Sequence, residues 1–251
     1  MRALLKFDRV IFIGAGGTNG YAIPSILRML SFSNITNPNF DVIIADNDII
    51  ENKNIARQNF IYSDIGKYKA EVMALRYGTL FNIRTRFINE RIDKNKLSVL
   101  INNSYGFYRN VLIIEAVDNN ASRLMIKNTI SSSNMKRNVY WLSSGNSDKD
   151  GQVILSMHSK YMNTRTVVDI WPEAFTKESL KAEADREEAA NCAVNAVVNP
   201  QSIAINETAA SILRNITYSL IYDKTIENTV YLFDRMNNIN NLNLAIYSNF
   251  Q

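Results

Sequence analysis

Short apolar runs alternate along the first half of the chain with segments in which apolar residues recur at helical spacing. The apolar runs, which predict β-strands, are Arg9–Ile13, Asp41–Ala45, Val111–Ala116 and Asn138–Leu142, with a weaker alternating run over Thr85–Ile92. The helical segments are Thr18–Leu30, Lys67–Leu80 and Ser122–Ile130. Pro24 is expected to kink the first helix or to mark its first turn. Strand–helix units at this spacing require crossover connections, so the pattern predicts a mainly parallel sheet.

The pattern changes after Gly145. The elements predicted beyond it are a strand over Gln152–His158, a solvated helix or mobile crossover loop over Lys177–Glu188, a long helix from Asn199-Pro200 to Leu220, and strands over Val230–Phe233 and Leu244–Tyr247 separated by an Asn-rich turn. No internal repeat or sharp composition shift divides the chain, so we expect one domain over 1–251 with halves 1–145 and 146–251. The predicted fold class is α/β: a Rossmann-like, mainly parallel twisted sheet with helices on both faces and antiparallel strands toward the C-terminus.

Composition narrows the class of protein without changing this picture. Apolar residues make up 46% of the 251 residues and charged residues 21%, which is ordinary for a folded soluble chain. The net charge of +4 is small and scattered, so we expect neither a nucleic-acid partner nor a polybasic membrane anchor. A single cysteine excludes an internal disulfide framework and a Cys-x-x-Cys zinc site, and a single histidine excludes a histidine metal cluster.

The N-terminal sequence predicts neither a membrane span nor an export signal. Its longest apolar run, Val10–Ile13, is far shorter than the ~20 residues that a spanning helix needs. Lys6, Asp8 and Arg9 interrupt the stretch where a signal peptide carries its apolar core. A lone thiol in such a chain predicts a cytoplasmic protein.

A glycine-rich loop follows the first predicted strand and opens the first predicted helix. In Gly14-x-Gly16-Gly17 the backbone N–H groups and the helix dipole are suited to a phosphate, and glycine lets the phosphate approach. The dinucleotide fingerprint has a third glycine where this chain has Asn19. Asp46, at the end of the second strand, is placed to bind ribose hydroxyls. The loop alone favours a dinucleotide oxidoreductase no more than an ATP-dependent enzyme.

The segments that follow separate these two classes. They are Asp46-Asn47-Asp48, Asn54-Ile55-Ala56-Arg57-Gln58, Asp64-Ile65-Gly66-Lys67-Tyr68-Lys69, Asp118-Asn119 and Gly151-Gln152-Val153, with Cys192 eight residues before Pro200. In order and spacing this set resembles the ThiF/MoeB/ubiquitin-activating superfamily of adenylating enzymes. The sequences of the loop and of Ile65-Gly66-x-x-Lys69-Ala70 are most similar to those of small bacterial and phage ThiF-like proteins of the PRTRC kind.

The resemblance implies a role for each residue in activating a carboxylate with ATP and Mg²⁺. It implies that Arg57 and Lys69 hold the β and γ phosphates and that Asp118 holds Mg²⁺. Asp46 then anchors the ribose, Asn54 adds a neutral hydrogen bond near the phosphates, and Gly14, Gly16 and Gly17 let the loop approach the nucleotide. Both reacting partners are anions, so neutralising charge and aligning the groups is most of the catalytic work.

Each of these residues also has a plain structural interpretation. Arg57 alternatively caps a helix or pairs with Glu51 or Asp48. Lys69 alternatively is a solvated residue on an amphipathic helix. Asp118 alternatively caps the helix that starts near Asn120, a role compatible with metal binding.

Cys192 is open between two interpretations. In the family a cysteine at this place accepts the activated acyl group as a thioester or takes part in sulfur transfer, which requires a thiolate. Asn199-Pro200 offers a helix start that lowers its pKa, whereas Glu187 and Glu188 raise it. The alternative is a buried thiol without a chemical role.

The function implied is an ATP·Mg-dependent adenylyltransferase that activates the C-terminal carboxylate of a small ubiquitin-like or sulfur-carrier protein and releases pyrophosphate. Alternatives are adenylation of a peptide or another substrate without a ubiquitin fold, a non-catalytic scaffolding relative, and, last, an NAD-dependent oxidoreductase. By resemblance we also expect a homodimer. For the arginine that many relatives supply to the partner subunit's ATP site, the alternatives here are Arg2, Arg9 or no such arginine at all.

Overall fold

Eight strands pair into one mixed sheet in the computed structural model, which describes residues 6–33, 39–55, 57–103, 108–132, 135–192, 203–223, 229–234 and 238–242. The strands are β1 (Arg9–Ile13), β2 (Asp41–Ala45), β3 (Thr85–Ile88), β4 (Asn110–Glu115), β5 (Asn138–Asn146), β6 (Asp150–His158), β7 (Val230–Asp234) and β8 (Ile239–Leu242). Their order in the sheet is β3-β2-β1-β4-β5-β6-β7-β8. The five strands from β3 to β5 are parallel, and β6, β7 and β8 continue antiparallel.

Helices cover both faces of this sheet. They are α1 (Gly17–Ser31), α2 (Asn52–Ile55), α3 (Lys69–Phe81), α4 (Lys94–Asn102), α5 (Asn120–Ile130), α6 (Val167–Ile170), α7 (Lys177–Cys192) and α8 (Ile203–Tyr222). Within the described ranges, none of these helices is long and apolar enough to cross a membrane.

The alternation of side chains along each strand creates two cores, one on each face. In β1, Val10 and Phe12 pack with α1, α3 and α8, whereas Ile11 and Ile13 pack with α4, α5 and α6. Every residue of β1, β2 and β4 is buried, as expected for central parallel strands that helices cover on both sides. The predicted fold class, α/β and Rossmann-like with antiparallel strands toward the C-terminus, is therefore confirmed.

The largest differences from the predicted elements lie where polar residues dominate. α4 was not predicted, although Asp93 caps it and it buries Leu97 and Ile101 on one side. β8 occupies part of the segment expected to be an Asn-rich turn, because pairing with β7 lets an asparagine-rich strand extend the sheet. The strand expected at Leu244–Tyr247 lies outside the described residues.

Smaller differences concern the boundaries of elements. Pro24 lies inside α1, with a full turn before it, and does not mark the first turn. The weakly alternating run Thr85–Ile92 forms a strand only as far as Ile88. β5 extends to Asn146 because it pairs with β6 along its whole length.

At the amino-terminal edge of the sheet, ion pairs to the buried carboxylate of Asp41 hold the starts of the strands together. Asp41 accepts hydrogen bonds from Arg9 Nε at 2.6 Å and from Arg86 Nη2 at 2.5 Å. Arg9 also donates to the carbonyl of Leu100 and is 5% exposed. Arg9 is thus held within its own chain, which disfavours it as an arginine for a partner subunit, and Arg2 lies outside the described residues.

Burial of His158, the single histidine, makes stability depend on pH. Burial lowers its pKa below the ordinary 6.5, Asp169 opposes this shift, and Lys127 adds to it. Its Nε2 is buried without a hydrogen-bond partner in the described part of the chain. Because the unfolded chain then binds more protons below pH 6.5, stability falls as the pH drops from 6.5 toward the lowered pKa.

We therefore predict that wild type loses about 1 kcal/mol more stability than His158→Gln between pH 7.5 and 5.5, since one proton per pH unit is worth about 1.4 kcal/mol. Urea unfolding followed by tryptophan fluorescence measures both proteins at both pH values. Equal losses in the two proteins would contradict the assignment.

Candidate active site

The sequence-predicted residues of the first half gather at the carboxyl-terminal edge of the parallel strands. The glycine loop follows β1, Asp46 follows β2 and Asp118 lies three residues beyond β4. Strand order reverses between β1 and β4, which is where open α/β sheets form a crevice for ligands. Topology thus brings together residues that are more than 100 positions apart in the chain.

The three glycines of the loop differ in what requires them. Gly14 has φ +85°, and a Cβ there would lie 2.7 Å from the carbonyl oxygen of Ala116 after β4. At Gly17 a Cβ would lie 2.6 Å from Asn206 of α8. A Cβ at Gly16 would be in ordinary contact with Gln58 Nε2 at 3.7 Å and would meet no closer atom of the described chain. Gly14 and Gly17 therefore shape the loop, and Gly16 is its least crowded glycine.

Asn19 occupies the position at which the dinucleotide fingerprint has its third glycine. It is fully buried, and its Nδ2 donates to the carbonyl oxygens of Gly14 at 2.8 Å and Ile13 at 3.3 Å. The amide thus ties the first turn of α1 to the end of β1, where a glycine would instead let helix and strand approach directly.

Asp46 braces the loop from the neighbouring strand. Its Oδ2 accepts a hydrogen bond from the backbone N–H of Ala15 at 2.6 Å, and its Oδ1 accepts one from Asp48 N–H at 2.8 Å. Burial raises the pKa of Asp46, and the positive charge of Lys69 together with these two N–H groups partly offsets that rise. The carboxylate is therefore held beside the loop, with one lone pair on each oxygen left for a ribose hydroxyl.

Lys69, the first residue of α3, is buried beside this carboxylate. It is 6% exposed, and its Nζ donates to Asp48 Oδ2 at 2.7 Å. Its backbone N–H also bonds the carbonyl of Asp48 at 3.0 Å. The alternative of a solvated surface lysine is wrong. A buried ammonium with one exposed acidic partner can exchange that partner for a phosphate.

Arg57 has no carboxylate partner in the part of the chain that the structure describes. Glu51 pairs with Lys53 and Asp48 pairs with Lys69, so the alternative pairings of Arg57 are wrong. Its Nε is buried without a hydrogen-bond partner among the described residues. A buried donor of this kind is costly unless a ligand completes it.

Two neighbours of Arg57 in the motif are buried. Asn54 is 2% exposed, and its Oδ1 accepts the N–H of Glu51 at 2.8 Å, which closes the short turn of α2. Gln58 Oε1 is buried and also has no hydrogen-bond partner in the described ranges. The other polar atom of the Gln58 side chain, Nε2, would lie 3.7 Å from a Cβ at Gly16, so this end of the motif lies beside the glycine loop.

Asp118 is exposed at the turn between β4 and α5. The N-cap of α5 is Asn119, whose Oδ1 accepts the N–H of Ser122 at 2.9 Å. The interpretation of Asp118 as the cap is therefore wrong, and its carboxylate is left facing solvent with one contact, from Asn119 Nδ2 at 3.2 Å.

This division of roles gives a direct prediction for stability. Asn119→Ala should lower the free energy of unfolding by about 1 kcal/mol because a helix cap is lost, whereas Asp118→Ala should change it by less than about 0.5 kcal/mol. Urea denaturation of both variants measures the difference. A larger loss for Asp118→Ala than for Asn119→Ala would show that the cap is misassigned.

The segment expected to be a solvated helix or crossover loop is α7, which ends at Cys192. Its described side chains are mostly exposed. Glu183 is half-buried, and its Oε2 accepts a hydrogen bond from the backbone N–H of Asn120 at 2.8 Å, close in sequence to Asp118. The side chain of Cys192 lies outside the described residues, so its role stays a prediction.

Sequence reasoning missed a set of buried polar side chains that support the site. Asn206 of α8 accepts hydrogen bonds from Thr18 at 3.2 Å and from Asn146 at 2.8 Å. Glu115 and Arg123 form an ion pair of 3.3 Å beneath the Asp118 turn. A signal was available for Glu115, since a carboxylate that ends an otherwise apolar strand needs a partner, but nothing in the sequence identifies that partner.

The residue types at this edge of the sheet suit a nucleoside triphosphate with Mg²⁺. Gly16 is the least crowded glycine of the loop, Lys69 is a buried cation, and the Nε of Arg57 is a buried donor without a partner in the described ranges. Asp118 supplies one exposed carboxylate, and Mg²⁺ commonly takes one or two carboxylates together with substrate phosphates.

Solved structures with the same fold include enzymes crystallised with a nucleotide. Escherichia coli MccB with AMPCPP and MccA superposes with a TM-score of 0.62 at 18% identity, over 94% of this chain and 63% of MccB. Escherichia coli MccB with ATP gives 0.60 at 17% identity, over 96% and 65%. PaaA gives 0.58 at 14% identity, over 96% and 64%. This chain thus spans slightly less than two thirds of the length of these proteins.

Comparison with sequences gives the family directly. No curated protein sequence matches the chain. The family model described as "ThiF family" matches residues 1–250, which is nearly the whole length and includes the loop, the Arg57 motif and Asp118. The chain therefore belongs to the ThiF family.

Proposed function

We propose that this protein is an ATP·Mg-dependent adenylyltransferase that activates the C-terminal carboxylate of a peptide or protein and releases pyrophosphate. The observation that carries the proposal is the buried Nε of Arg57, which has no hydrogen-bond partner among the described residues, next in sequence to Gln58, whose side chain lies beside Gly16, together with the buried cation Lys69. Membership of the ThiF family and the nucleotide complexes of MccB support it.

In the reaction, a carboxylate oxygen forms a bond to the α-phosphorus while the bond from that phosphorus to the leaving pyrophosphate breaks. Arg57 and Lys69 would hold the β and γ phosphates, where negative charge accumulates on the leaving group. Asp46 would bind the ribose and Asn54 would donate a neutral hydrogen bond near the phosphates. Asp118 would hold Mg²⁺, which when bound withdraws charge from the phosphate oxygens.

Two classes of acyl substrate are in play. The first is a small ubiquitin-like or sulfur-carrier protein with a free C-terminal tail, whose acyl group Cys192 would then receive as a thioester or in sulfur transfer. The second is a peptide, and it is favoured by the MccB structure with N-formylated MccA. In either case we propose a homodimer as the working assembly.

The deciding experiment is ATP–pyrophosphate exchange with each substrate class. Exchange should depend on a free C-terminal carboxylate and vanish when the same peptide or carrier is C-terminally amidated. Exchange with none of a panel of Gly-Gly-ended carriers and free-acid peptides, under conditions in which ATP binds, would overturn the proposal. Cys192→Ser should keep ATP–pyrophosphate exchange but lose the covalent acyl-enzyme. If this variant still forms every product that wild type makes from the acyl adenylate, the thioester role is wrong.

A further inference from the structure

Glu115 is a fully buried carboxylate at the end of β4, the strand that leads to Asp118. Its Oε1 accepts the backbone N–H of Val117 at 2.9 Å, and its Oε2 accepts the hydroxyl of Ser143 on β5 at 2.7 Å. The side chain therefore reaches back over its own strand end and holds the first residues of the turn.

Arg123, in the first turn of helix α5, balances the charge of Glu115. It also bonds the segment before Asp118 from the opposite side. Its Nε lies 3.3 Å from Glu115 Oε1, and it is 8% exposed. Its Nη2 donates to the carbonyl oxygens of Val117 at 2.6 Å and Ser144 at 3.0 Å, and its Nη1 donates to Asn120 Oδ1 at 3.0 Å.

The two side chains thus bond both the N–H and the C=O of Val117, the residue immediately before Asp118. Arg123 also holds Asn120, two residues after Asp118, so the turn is fixed on both sides of the exposed carboxylate. A buried ion pair contributes little stability compared with apolar residues of the same volume. Its geometry here is explained better by the turn that it holds than by a gain in stability.

We propose that Arg123, held by Glu115, is a positioning residue that fixes the Asp118 turn so that the carboxylate binds a divalent ion together with the nucleotide. This inference rests on the proposed function of Asp118. Arg123 itself touches neither ion nor nucleotide in this scheme, and it acts through the backbone at Val117 and the side chain of Asn120.

The test uses Mn²⁺ as the probe and the whole chain with the unreactive nucleotide AMPCPP, with Mn²⁺ binding followed by electron paramagnetic resonance. Arg123→Lys keeps the charge beside Glu115 but cannot bond Val117, Ser144 and Asn120 together. We expect it to weaken Mn²⁺ binding in the ternary complex about tenfold while the affinity for AMPCPP without metal changes less than about threefold. Asp118→Ala serves as the reference for complete loss.

The matched control is Arg137→Lys. Arg137 also pairs with a fully buried carboxylate, Asp8 at 3.2 Å, but this pair lies beside the starts of β1 and β5, at the opposite edge of the sheet. Arg137→Lys should therefore leave Mn²⁺ binding unchanged. If Arg123→Lys is folded and binds Mn²⁺ as wild type does, or if Arg137→Lys weakens binding equally, the positioning role is wrong.

A milder variant protects the test against loss of the fold. Ser143→Ala removes one partner of Glu115 on the neighbouring strand, away from the Asp118 turn. It should weaken Mn²⁺ binding about threefold, and unchanged binding would overturn the proposal even if Arg123→Lys does not fold. Failure of wild type to bind Mn²⁺ with AMPCPP would instead refute the function proposed for Asp118, which keeps the two failures distinguishable.

Discussion

Arg57→Ala is expected to lower the rate of ATP–pyrophosphate exchange at least about 10³-fold, equivalent to about 4 kcal/mol of lost transition-state stabilisation. The reason is electrostatic. The leaving pyrophosphate gains negative charge as the new bond forms, and under the proposed function the planar guanidinium would donate two hydrogen bonds to it. In the structure its Nε is already buried and has no protein partner in the described ranges, so its removal takes away a donor that only a ligand would use.

The control for this prediction is Lys53→Ala. Lys53 is a cation of the same motif segment, but it is 51% exposed and pairs with Glu51 on the surface. Its removal should change the rate by less than about twofold, because exposed charges in water interact weakly with the site. Comparable losses in both variants would mean that general positive potential matters and that Arg57 has no specific contact.

Asp118→Ala is expected to abolish exchange to a similar extent, at least about 10³-fold, while the protein stays as stable as wild type. Under the proposed function the exposed carboxylate of Asp118 would hold Mg²⁺, so its loss would leave the phosphate charge without a counter-ion held in place. Asp118→Asn keeps the shape and removes only the charge, and should lose most of the same activity.

Exchange rates at saturating ATP and increasing Mg²⁺ measure this prediction, with Asn119→Ala as the comparison. Asn119→Ala should lose stability but retain most activity at a temperature at which it is folded. If the exchange rate of Asp118→Ala depends on Mg²⁺ concentration in the same way as the wild-type rate does, Asp118 is not part of the metal site.

The sequence predicted best those strands in which every residue is buried. The boundaries of β1 and β2 match the predicted Arg9–Ile13 and Asp41–Ala45. Helices cover these strands on both faces, so the run of buried residues and the strand end at the same positions. α4 and β8 were missed for the opposite reason. α4 buries only Leu97 and Ile101, and β8 is a polar strand whose place depends on pairing with β7.

For the site, the sequence predicted which residues to consider but not what each one contacts. The motif order indicated Lys69 and Arg57, yet the burial of Lys69 against Asp48 and the absence of a carboxylate for Arg57 in the described chain required the fold. The contacts of Arg123 depend on β4 and β5 lying side by side, and neighbours in a sheet cannot be deduced from spacing along the chain.

The packing of Asn206 against Gly17 places a constraint on the register of α8. The helix begins ten residues or so after Cys192, yet the buried amide of Asn206 meets Gly17 at the end of the glycine loop and joins Thr18 to Asn146. Inserting one residue in α8 just before Asn206 would turn that amide by about 100° around the helix axis. Such an insertion would therefore remove the amide from the loop, and residues 1–145 expressed alone would lack the side chain that packs against Gly17.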